Sequence, residues 1–250
     1  MDSQRIRQAI ILAGGFGTRL QTVLRDLPKP LAPVRGRPFL HYVLRWLEEC
    51  GIERVIGCTG YLADKMEAGF RSYAGGLDLT LLREDTPLGT GGAIYRALRE
   101  ADSGGVFALN GDTYFPADLS EFQQRAERLG GRFAIALRRV PDTSRFGAVE
   151  LEGGRIAAMN EKGRSGPGLV NAGLYLLPHD LWQQVPMPGV FSWETDLMEP
   201  KAPVLGAAGV ILDAPFLDIG TPESYGEVES VLPSLPQLCP RLVDGTGSQD

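Results

Sequence analysis

The chain has 250 residues, of which 43% are hydrophobic and 22% are charged, and Gly and Pro together make up one fifth of it. This ordinary globular composition excludes a low-complexity chain and a mini-protein that needs disulfide or metal staples. The formal charge of -6, without a run of Lys and Arg, argues against a nucleic-acid-binding surface and an anionic membrane surface. The three Cys residues lack disulfide-framework and zinc-type spacing, and no apolar run approaches the ~18 residues of a membrane span, so we expect a cytoplasmic protein.

The first 110 residues alternate between apolar runs and helical patterns. Residues 8–13, apolar from Ala9 onward and followed by glycines, are typical of a buried parallel strand opening into a loop. Pro38 precedes apolar positions at helical spacing, and Gly51 ends them. Further strands are predicted at 54–58, 77–82 and 106–109, and further helices at 64–73 and 91–100. This alternation predicts a parallel, doubly wound α/β sheet.

The pattern changes after a predicted helix at 118–129. Strands are predicted at 133–138, 146–151, 156–159, 169–176, 204–210 and 214–217, with a hairpin turn at Gly153 and Gly154 and a last helix at 222–231. We therefore expect one Rossmann-like, mostly parallel α/β domain over residues 1–232. Its second half, about 131–232, is expected to be more antiparallel than the first, about 1–130. Residues 233–250 are rich in Pro, Gly and Ser and are predicted to form a flexible tail.

A glycine-rich loop at residues 14–19 follows the first predicted strand. Its backbone N–H groups can converge on a phosphate, and its small residues let the phosphate approach closely. The loop lacks the third small residue of a dinucleotide fingerprint, and no Gly-Lys-Ser/Thr follows to make a P-loop. By itself the loop is equally consistent with a nucleotide site and with a structural turn.

Residues 12–20, together with Pro28, Lys29 and Pro30, resemble the signature of the sugar-1-phosphate nucleotidyltransferases. The resemblance spans about residues 7–230 and continues in the family's order through motifs at 87–92, 110–112, 161–162, 171–173 and 216–221. Within the family, residues 191–196 and the short chain without a C-terminal β-helix are most similar to the D-glycero-D-manno-heptose 1-phosphate guanylyltransferases. This resemblance implies transfer of a nucleotidyl group from an NTP, with GTP favoured, to heptose 1-phosphate. Pyrophosphate would be released, and the NDP-sugar would serve cell-surface polysaccharide biosynthesis.

The resemblance also implies which residues hold the NTP. Because both reactants are anions, the site needs cations on the phosphates, and Arg19 and Lys29 are expected to hold the triphosphate. The resemblance pairs Asp112 and Asp218, each after a predicted strand, around one Mg²⁺, although Asp112 in an Asn-Gly-Asp sequence is also typical of a turn. The expected nucleotide-binding residues are Leu12, Ala13, Gly14, Gly15, Gly17, Thr18, Arg19, Glu84, Gly89, Thr90 and Asp112.

The second half of the chain is expected to bind the sugar phosphate. Lys162, the family's second lysine, would contact the phosphate of the sugar. Glu194 and Asp196 could bind further hydroxyls of the sugar, but they are equally typical of acids in the first turn of a helix that Ser192 caps. Trp193 is expected in the core. The expected sugar-phosphate residues are Gly147, Glu161, Lys162, Asn171 and Glu194. The expected catalytic set is Arg19, Lys29, Asp112, Lys162 and Asp218.

Glu84 allows a separate inference about the base. An ionised carboxylate only accepts hydrogen bonds, which suits the N1–H and N2–H₂ groups of guanine better than the carbonyls of uracil or thymine. Asp85 or backbone groups could read the base instead. Mannose-1-phosphate guanylyltransferase and uridylyltransferase remain alternative activities, and a homo-oligomer is compatible with the sequence. A non-catalytic nucleotide-sensing subunit is the alternative from another class, but such a subunit should lose catalytic residues that this chain retains.

Overall fold

A nine-stranded β-sheet forms the centre of the computed structural model, which describes residues 5–15, 24, 26–160 and 165–232. Up to residue 110 the elements are β1 (Gln8–Leu12), a 3-10 helix (Lys29–Leu31), β2 (Pro33–Val34), β3 (Arg37–Pro38), α1 (Phe39–Glu49), β4 (Arg54–Thr59), α2 (Ala63–Arg71), β5 (Asp78–Arg83), α3 (Gly89–Leu98) and β6 (Gly105–Asn110). β1 lies between β4 and β6 and is parallel to both, and β5 extends the sheet beyond β4 in the same direction. These four strands make a parallel block.

The remaining elements extend the sheet with mixed strand directions. They are β7 (Thr113–Tyr114), α4 (Leu119–Arg128), β8 (Ala134–Val140), β9 (Val149–Glu152), β10 (Arg155–Met159), β11 (Gly168–Pro178), α5 (Leu181–Gln184), a π-helix (Trp193–Met198), α6 (Glu199–Lys201), β12 (Ala208–Ile211), β13 (Leu217–Asp218) and α7 (Pro222–Val231). The strand order is β5-β4-β1-β6-β11-β8-β12-β10-β9. β11 is antiparallel to β6 and β8, whereas β12 is parallel to β8. The α/β class is confirmed, but the sheet as a whole is mixed rather than mostly parallel.

Helices cover both faces of this sheet. On one face, α1, α2 and α4 place Phe39, Phe70 and Phe122 in one hydrophobic core. On the other face, α3 and the π-helix contribute Ile94 and Trp193 to a second core, where Trp193 is buried as expected. A strand covered on both faces is apolar at nearly every position, which explains the apolar run at 9–12 within β1. Since both faces are occupied, a ligand can reach the sheet only at its edges and strand ends.

The helix boundaries follow from local capping. α1 begins directly after Pro38, and Gly51 adopts a left-handed φ of 79° just past its end, as glycine does in many C-terminal caps. Asp118 is the N-cap of α4, because its side chain accepts hydrogen bonds from the backbone N–H groups of Ser120 and Glu121. The sequence predicted both helices to within a few residues because these signals are local.

Three predicted strands are shorter than expected. Residues 204–207 lie in a turn before β12, where Gly206 has a φ of 63° and Val204 is 85% exposed, so apolar composition misled the prediction. Residues 146–148 precede β9, because Gly147 has a left-handed φ of 79° that interrupts extended backbone. In the predicted strand at 214–217 only Leu217 pairs with another strand, and it does so with β7, outside the nine-stranded sheet.

Two of the three cysteines fall in the described part of the chain. Cys50 and Cys58 are both free thiols, which agrees with the absence of a disulfide pattern in their spacing. Cys239 and the predicted flexible tail lie outside the described residues. Within the described ranges, no helix is long and apolar enough to cross a membrane.

Candidate active site

The carboxyl ends of β1, β4, β5 and β6 meet at one edge of the sheet, because these strands are parallel. Residues 13–15 leave β1 at this edge, Glu84 follows β5, and Asp112 lies just beyond β6. Ligands of open α/β sheets bind at the carboxyl ends of the strands. Two adjoining cavities lie here, which we name the β1-side cavity and the β11-side cavity after the strands that line them.

The β1-side cavity has a volume of about 480 Å³. This volume falls within the range of roughly 300–1,000 Å³ that is typical of small-molecule sites. The described members of the expected nucleotide-binding set all line it: Leu12, Ala13, Gly14, Gly15, Glu84, Gly89, Thr90 and Asp112. The expected Gly17, Thr18 and Arg19 lie outside the described residues. The structure therefore brings together residues from three separate motifs of the sequence.

The start of α3 is fixed against the segment before the π-helix. Gly91 donates its backbone N–H to the carbonyl oxygen of Phe191 at 3.0 Å, and Thr90 accepts the backbone N–H of Trp193 at 2.8 Å through Oγ1. Gly89 has a φ of 71°, and a Cβ atom there would overlap the carbonyl of Phe191. Glycine is thus required at position 89 both by backbone conformation and by this close approach.

Glu84 is partly buried in the wall of the β1-side cavity. Its Oε2 accepts the backbone N–H of Leu88 at 2.9 Å, which ties the carboxylate to the loop before α3. Burial raises the pKa of Glu84 above its ordinary value of 4.5, although the Leu88 hydrogen bond and the charge of Arg96 act in the opposite direction. Asp85, the alternative reader of the base, is exposed and does not line the cavity.

Cys58 also lines the β1-side cavity. Its side chain is 2% exposed, and burial raises the pKa of the thiol to about 12. The thiolate is the nucleophilic form of cysteine, so a thiol with this pKa stays protonated and unreactive near neutral pH. Cys58 is therefore a packing residue of the cavity wall.

The β11-side cavity has a volume of about 580 Å³. It is lined by the end of β6, the turn before β9, the middle of β11 and the region around β13. Among the expected sugar-phosphate residues, Gly147, Asn171 and Glu194 line it, whereas Glu161 and Lys162 lie outside the described residues. The cavity also contains Asp112 and Asp218, so the two expected metal ligands share one space.

Four residues line both cavities and define the border between them: Lys29, Asn110, Asp112 and Glu194. Lys29 Nζ lies 2.6 Å from Asp112 Oδ2, and both side chains are partly buried. Lys29 begins the short 3-10 helix after Pro28, whose fixed φ limits the freedom of the loop. The ammonium of Lys29 and the carboxylate of Asp112 are thus paired at the border between the two cavities.

Asp112 and Asp218 are brought together by a two-stranded ribbon. β7 and β13 pair in antiparallel fashion with Thr113 opposite Asp218, and Ile219 donates its backbone N–H to the carbonyl oxygen of Asp112 at 3.0 Å. Asp218 Oδ1 accepts hydrogen bonds from the backbone N–H of Gly220 at 2.8 Å and from Ser224 Oγ at 3.3 Å. The sequence predicted Asp218 just after a strand of the main sheet. In the structure it lies within β13, which pairs with β7.

This pair of carboxylates fits the chemistry of a Mg²⁺ site. Mg²⁺ prefers hard oxygen ligands and is commonly bound by one or two carboxylates together with substrate phosphates and water. Within the described ranges, no group of three or more His, Cys, Asp and Glu residues is placed to hold a metal. Two carboxylates in a cavity with room for a phosphorylated ligand suit an ion that shares its coordination with substrate.

Asn171 and Glu194 differ in how their side chains are held. Asn171 donates to the hydroxyl of Tyr175 at 2.8 Å and accepts the backbone N–H of Gly173 at 2.9 Å, across the irregular part of β11. Ser192 caps the π-helix, and Asp196 accepts the backbone N–H of Ser192 at 2.7 Å, which confirms the capping interpretation for Asp196. Glu194 is a first-turn acid of the same helix and also lines both cavities.

Several polar side chains that line the site were not singled out from the sequence, among them Asn110, Arg145 and Glu199. Asn110 lines both cavities, while Arg145 and Glu199 line the β11-side cavity. Asn110 was recognised only as part of its motif with Asp112. Its position at the last residue of β6 was a usable signal, since strand-end polar residues reach the binding edge. Arg145 lies in a turn whose direction no local pattern indicates.

Comparisons with known proteins show which family this chain resembles. The model of the "Nucleotidyl transferase" family matches residues 8–233. The chain is 36% identical over 225 residues to a D-glycero-alpha-D-manno-heptose 1-phosphate guanylyltransferase from Aneurinibacillus thermoaerophilus, covering 90% of this chain and 98% of that protein. It is 33% identical to a mannose-1-phosphate guanylyltransferase from Mycobacterium tuberculosis, of which it covers 62%.

A solved structure shows the same fold. The crystal structure of HddC from Yersinia pseudotuberculosis complexed with GMP-PN aligns with a TM-score of 0.80 and 32% sequence identity. The alignment covers 91% of this chain and 100% of that one. The family match spans most of the chain, and the full-length relative and the solved structure each exceed 30% identity. The chain therefore belongs to the nucleotidyl transferase family.

Proposed function

We propose that this protein transfers a guanylyl group from GTP to D-glycero-α-D-manno-heptose 1-phosphate, giving GDP-heptose and pyrophosphate. The observation that carries the proposal is the pair of adjoining cavities with Lys29 and Asp112 at their border. Similarity along nearly the full length of a heptose 1-phosphate guanylyltransferase supports the choice of substrates. Because GTP is a cytoplasmic metabolite, we expect the reaction in the cytoplasm and its product in cell-surface polysaccharide synthesis.

In this proposal the β1-side cavity holds GTP. The backbone N–H groups of Gly14 and Gly15 and the ammonium of Lys29 would contact the triphosphate, since anions bind where backbone donors and cations converge. Glu84 would accept the N1–H and N2–H₂ of guanine. Its hydrogen bond from Leu88 holds the carboxylate in place before the base arrives.

The sugar phosphate would occupy the β11-side cavity. One of its phosphate oxygens attacks the α-phosphorus of GTP across the border, and the bond from that phosphorus to the pyrophosphate oxygen breaks. The attacking oxygen is already anionic, so the reaction needs no general base. The site must therefore align the attacking oxygen with the α-phosphorus and reduce the repulsion between the two anions. Lys29, at the border between the cavities, would supply positive charge there.

Asp112 and Asp218 would hold one Mg²⁺. Bound there, the ion would neutralise charge on the α-phosphate and orient it. Lys29 lies close to Asp112 and would then contact the phosphates rather than Asp112 alone. The hydrogen bonds of Gly220 and Ser224 fix the orientation of Asp218 in advance.

A pyrophosphate-release assay tests the proposal by crossing GTP, UTP, CTP and dTTP with heptose, mannose and glucose 1-phosphates. The highest kcat/KM is expected for GTP with heptose 1-phosphate. Mannose 1-phosphate as the best acceptor would instead favour the second candidate, which the mannose-1-phosphate guanylyltransferase relative supports. A preference for UTP or dTTP would contradict the guanylyl assignment, and no turnover with any pair would contradict the enzymatic function.

A further inference from the structure

A tightly bonded turn presents Arg145 to the β11-side cavity. The carboxylate of Asp142 accepts the backbone N–H groups of Ser144 and Gly166 at 3.2 and 3.1 Å. The carbonyl oxygen of Thr143 accepts the N–H groups of Phe146 and Gly147 at 3.0 and 3.1 Å. The backbone on both sides of Arg145 is therefore held in place, and the side chain is presented from a fixed point.

The Arg145 guanidinium is near, but not closely bonded to, one of the proposed metal ligands. Its Nη2 lies 3.7 Å from Asp218 Oδ2, beyond hydrogen-bond distance, and the side chain is 52% exposed. The guanidinium carbon also lies 5.3 Å from the centre of the Phe146 ring. A partly solvated guanidinium with a loose ion pair can turn to a new anion without losing a short hydrogen bond.

A cation in this position offsets part of the negative charge of the cavity. Its described lining carries four carboxylates, on Asp112, Glu194, Glu199 and Asp218, and two cations, on Lys29 and Arg145. Lys29 is close to Asp112 at the border with the β1-side cavity. Arg145 lines only the β11-side cavity. A phosphate dianion entering among these carboxylates would be repelled less if a cation contacted it on the side away from Lys29, in addition to the contact expected from Lys162 outside the described residues.

We propose that Arg145 binds the phosphate group of the sugar 1-phosphate, an inference that rests on the proposed function. Arginine presents parallel N–H donors that match two phosphate oxygens, which a lysine cannot do. On substrate binding the guanidinium would exchange its loose ion pair with Asp218 for the phosphate.

The test compares Arg145→Gln and Arg145→Lys with Arg139→Gln, which removes the same charge from an exposed residue outside both cavities. In Arg145→Gln the KM for heptose 1-phosphate is expected to rise about tenfold or more, because a charge-assisted hydrogen bond is lost. The KM for GTP is expected to stay within about twofold. Arg145→Lys should recover part of the affinity, and Arg139→Gln should leave both constants unchanged.

Three results would overturn this inference. If the unmodified protein turns over GTP with heptose 1-phosphate and Arg145→Gln leaves the acceptor KM unchanged, Arg145 does not bind the phosphate, while the proposed function stands. If the KM values for GTP and heptose 1-phosphate rise equally in Arg145→Gln, the substitution disturbs the site as a whole, and the inference is overturned as well. No turnover of any sugar 1-phosphate by the unmodified protein would overturn the proposed function, and this inference with it.

Discussion

Asp112 and Asp218 are the residues on which the proposed metal site depends. Asp112→Asn and Asp218→Asn keep the side-chain size but remove a ligand charge, so Mg²⁺-dependent pyrophosphate release is expected to fall by roughly 100-fold or more. Asp213→Asn is a matched control, because Asp213 is exposed and lies outside both cavities. Steady-state kinetics give the rates, and circular dichroism checks the fold. Full turnover in both Asp112 and Asp218 variants would refute the metal assignment.

Glu84 decides the base in our proposal. Gln at this position can still accept the N–H of Leu88, so the loop before α3 should keep its conformation. Because an amide donor replaces one acceptor oxygen, Glu84→Gln should weaken GTP binding by about 1–3 kcal/mol and improve UTP relative to GTP. The ratio of kcat/KM for GTP and UTP measures the effect. If that ratio does not change, another group reads the base.

The pH dependence of GTP binding follows from the burial of Glu84. Burial raises its pKa above the ordinary 4.5, so on acidification this carboxyl takes up a proton before exposed Glu residues do. Only the ionised form is acceptor-only, and the Kd for GTP is therefore expected to increase as the pH falls through this pKa. Calorimetric titration from about pH 8 down to about pH 4, below the ordinary pKa of Glu, measures the trend. In Glu84→Gln the Kd for GTP should not increase as the pH falls. If it still increases, another group is responsible for the pH dependence.

Among the elements, α3 is the one whose placement most directly shapes the β1-side cavity. Ala at position 89 would force a left-handed backbone on a residue with a Cβ, at a cost of about 1–2 kcal/mol, and would also collide with the carbonyl of Phe191. Gly89→Ala is expected to lower stability in denaturant unfolding and to raise the KM for GTP. Gly226→Ala, inside α7 with open space around it, should be neutral or stabilising. Equal stability of the two variants would contradict this role of Gly89.

Long helices and strands were predicted from the sequence more accurately than short ones. β1, α1 and α4 have runs, periodicity or caps that can be read along the chain, and the structure places them within a few residues of the prediction. β7 and β13 contain two residues each, too few to show a period of two. Their pairing is a tertiary event, and it is what sets Asp218 beside Asp112.

In the whole molecule, the two cavities join the parallel block of the sheet to its mixed half. A ligand that binds only the folded state stabilises it by mass action, so GTP at 100 times its Kd should raise the free energy of unfolding by about 2.7 kcal/mol. UTP at the same concentration is expected to stabilise less. Denaturant unfolding measures both, with inorganic phosphate as the control for ionic strength. Equal stabilisation by GTP and UTP would contradict selective recognition of guanine.

The α/β class, the order of the motifs and most residues of the β1-side cavity could be predicted from the sequence alone. The fold class follows from apolar runs and helical spacing, whereas the motifs and the cavity residues, such as Gly14 and Gly89, follow from the resemblance to the sugar-1-phosphate nucleotidyltransferases, whose motifs are short stretches of chain. The order of the strands in the mixed sheet, the pairing that positions Asp218 and the place of Arg145 in the β11-side cavity became evident only in the folded chain. Their physical reason is shared, because each depends on contacts between segments far apart in the chain, and no local periodicity encodes such contacts.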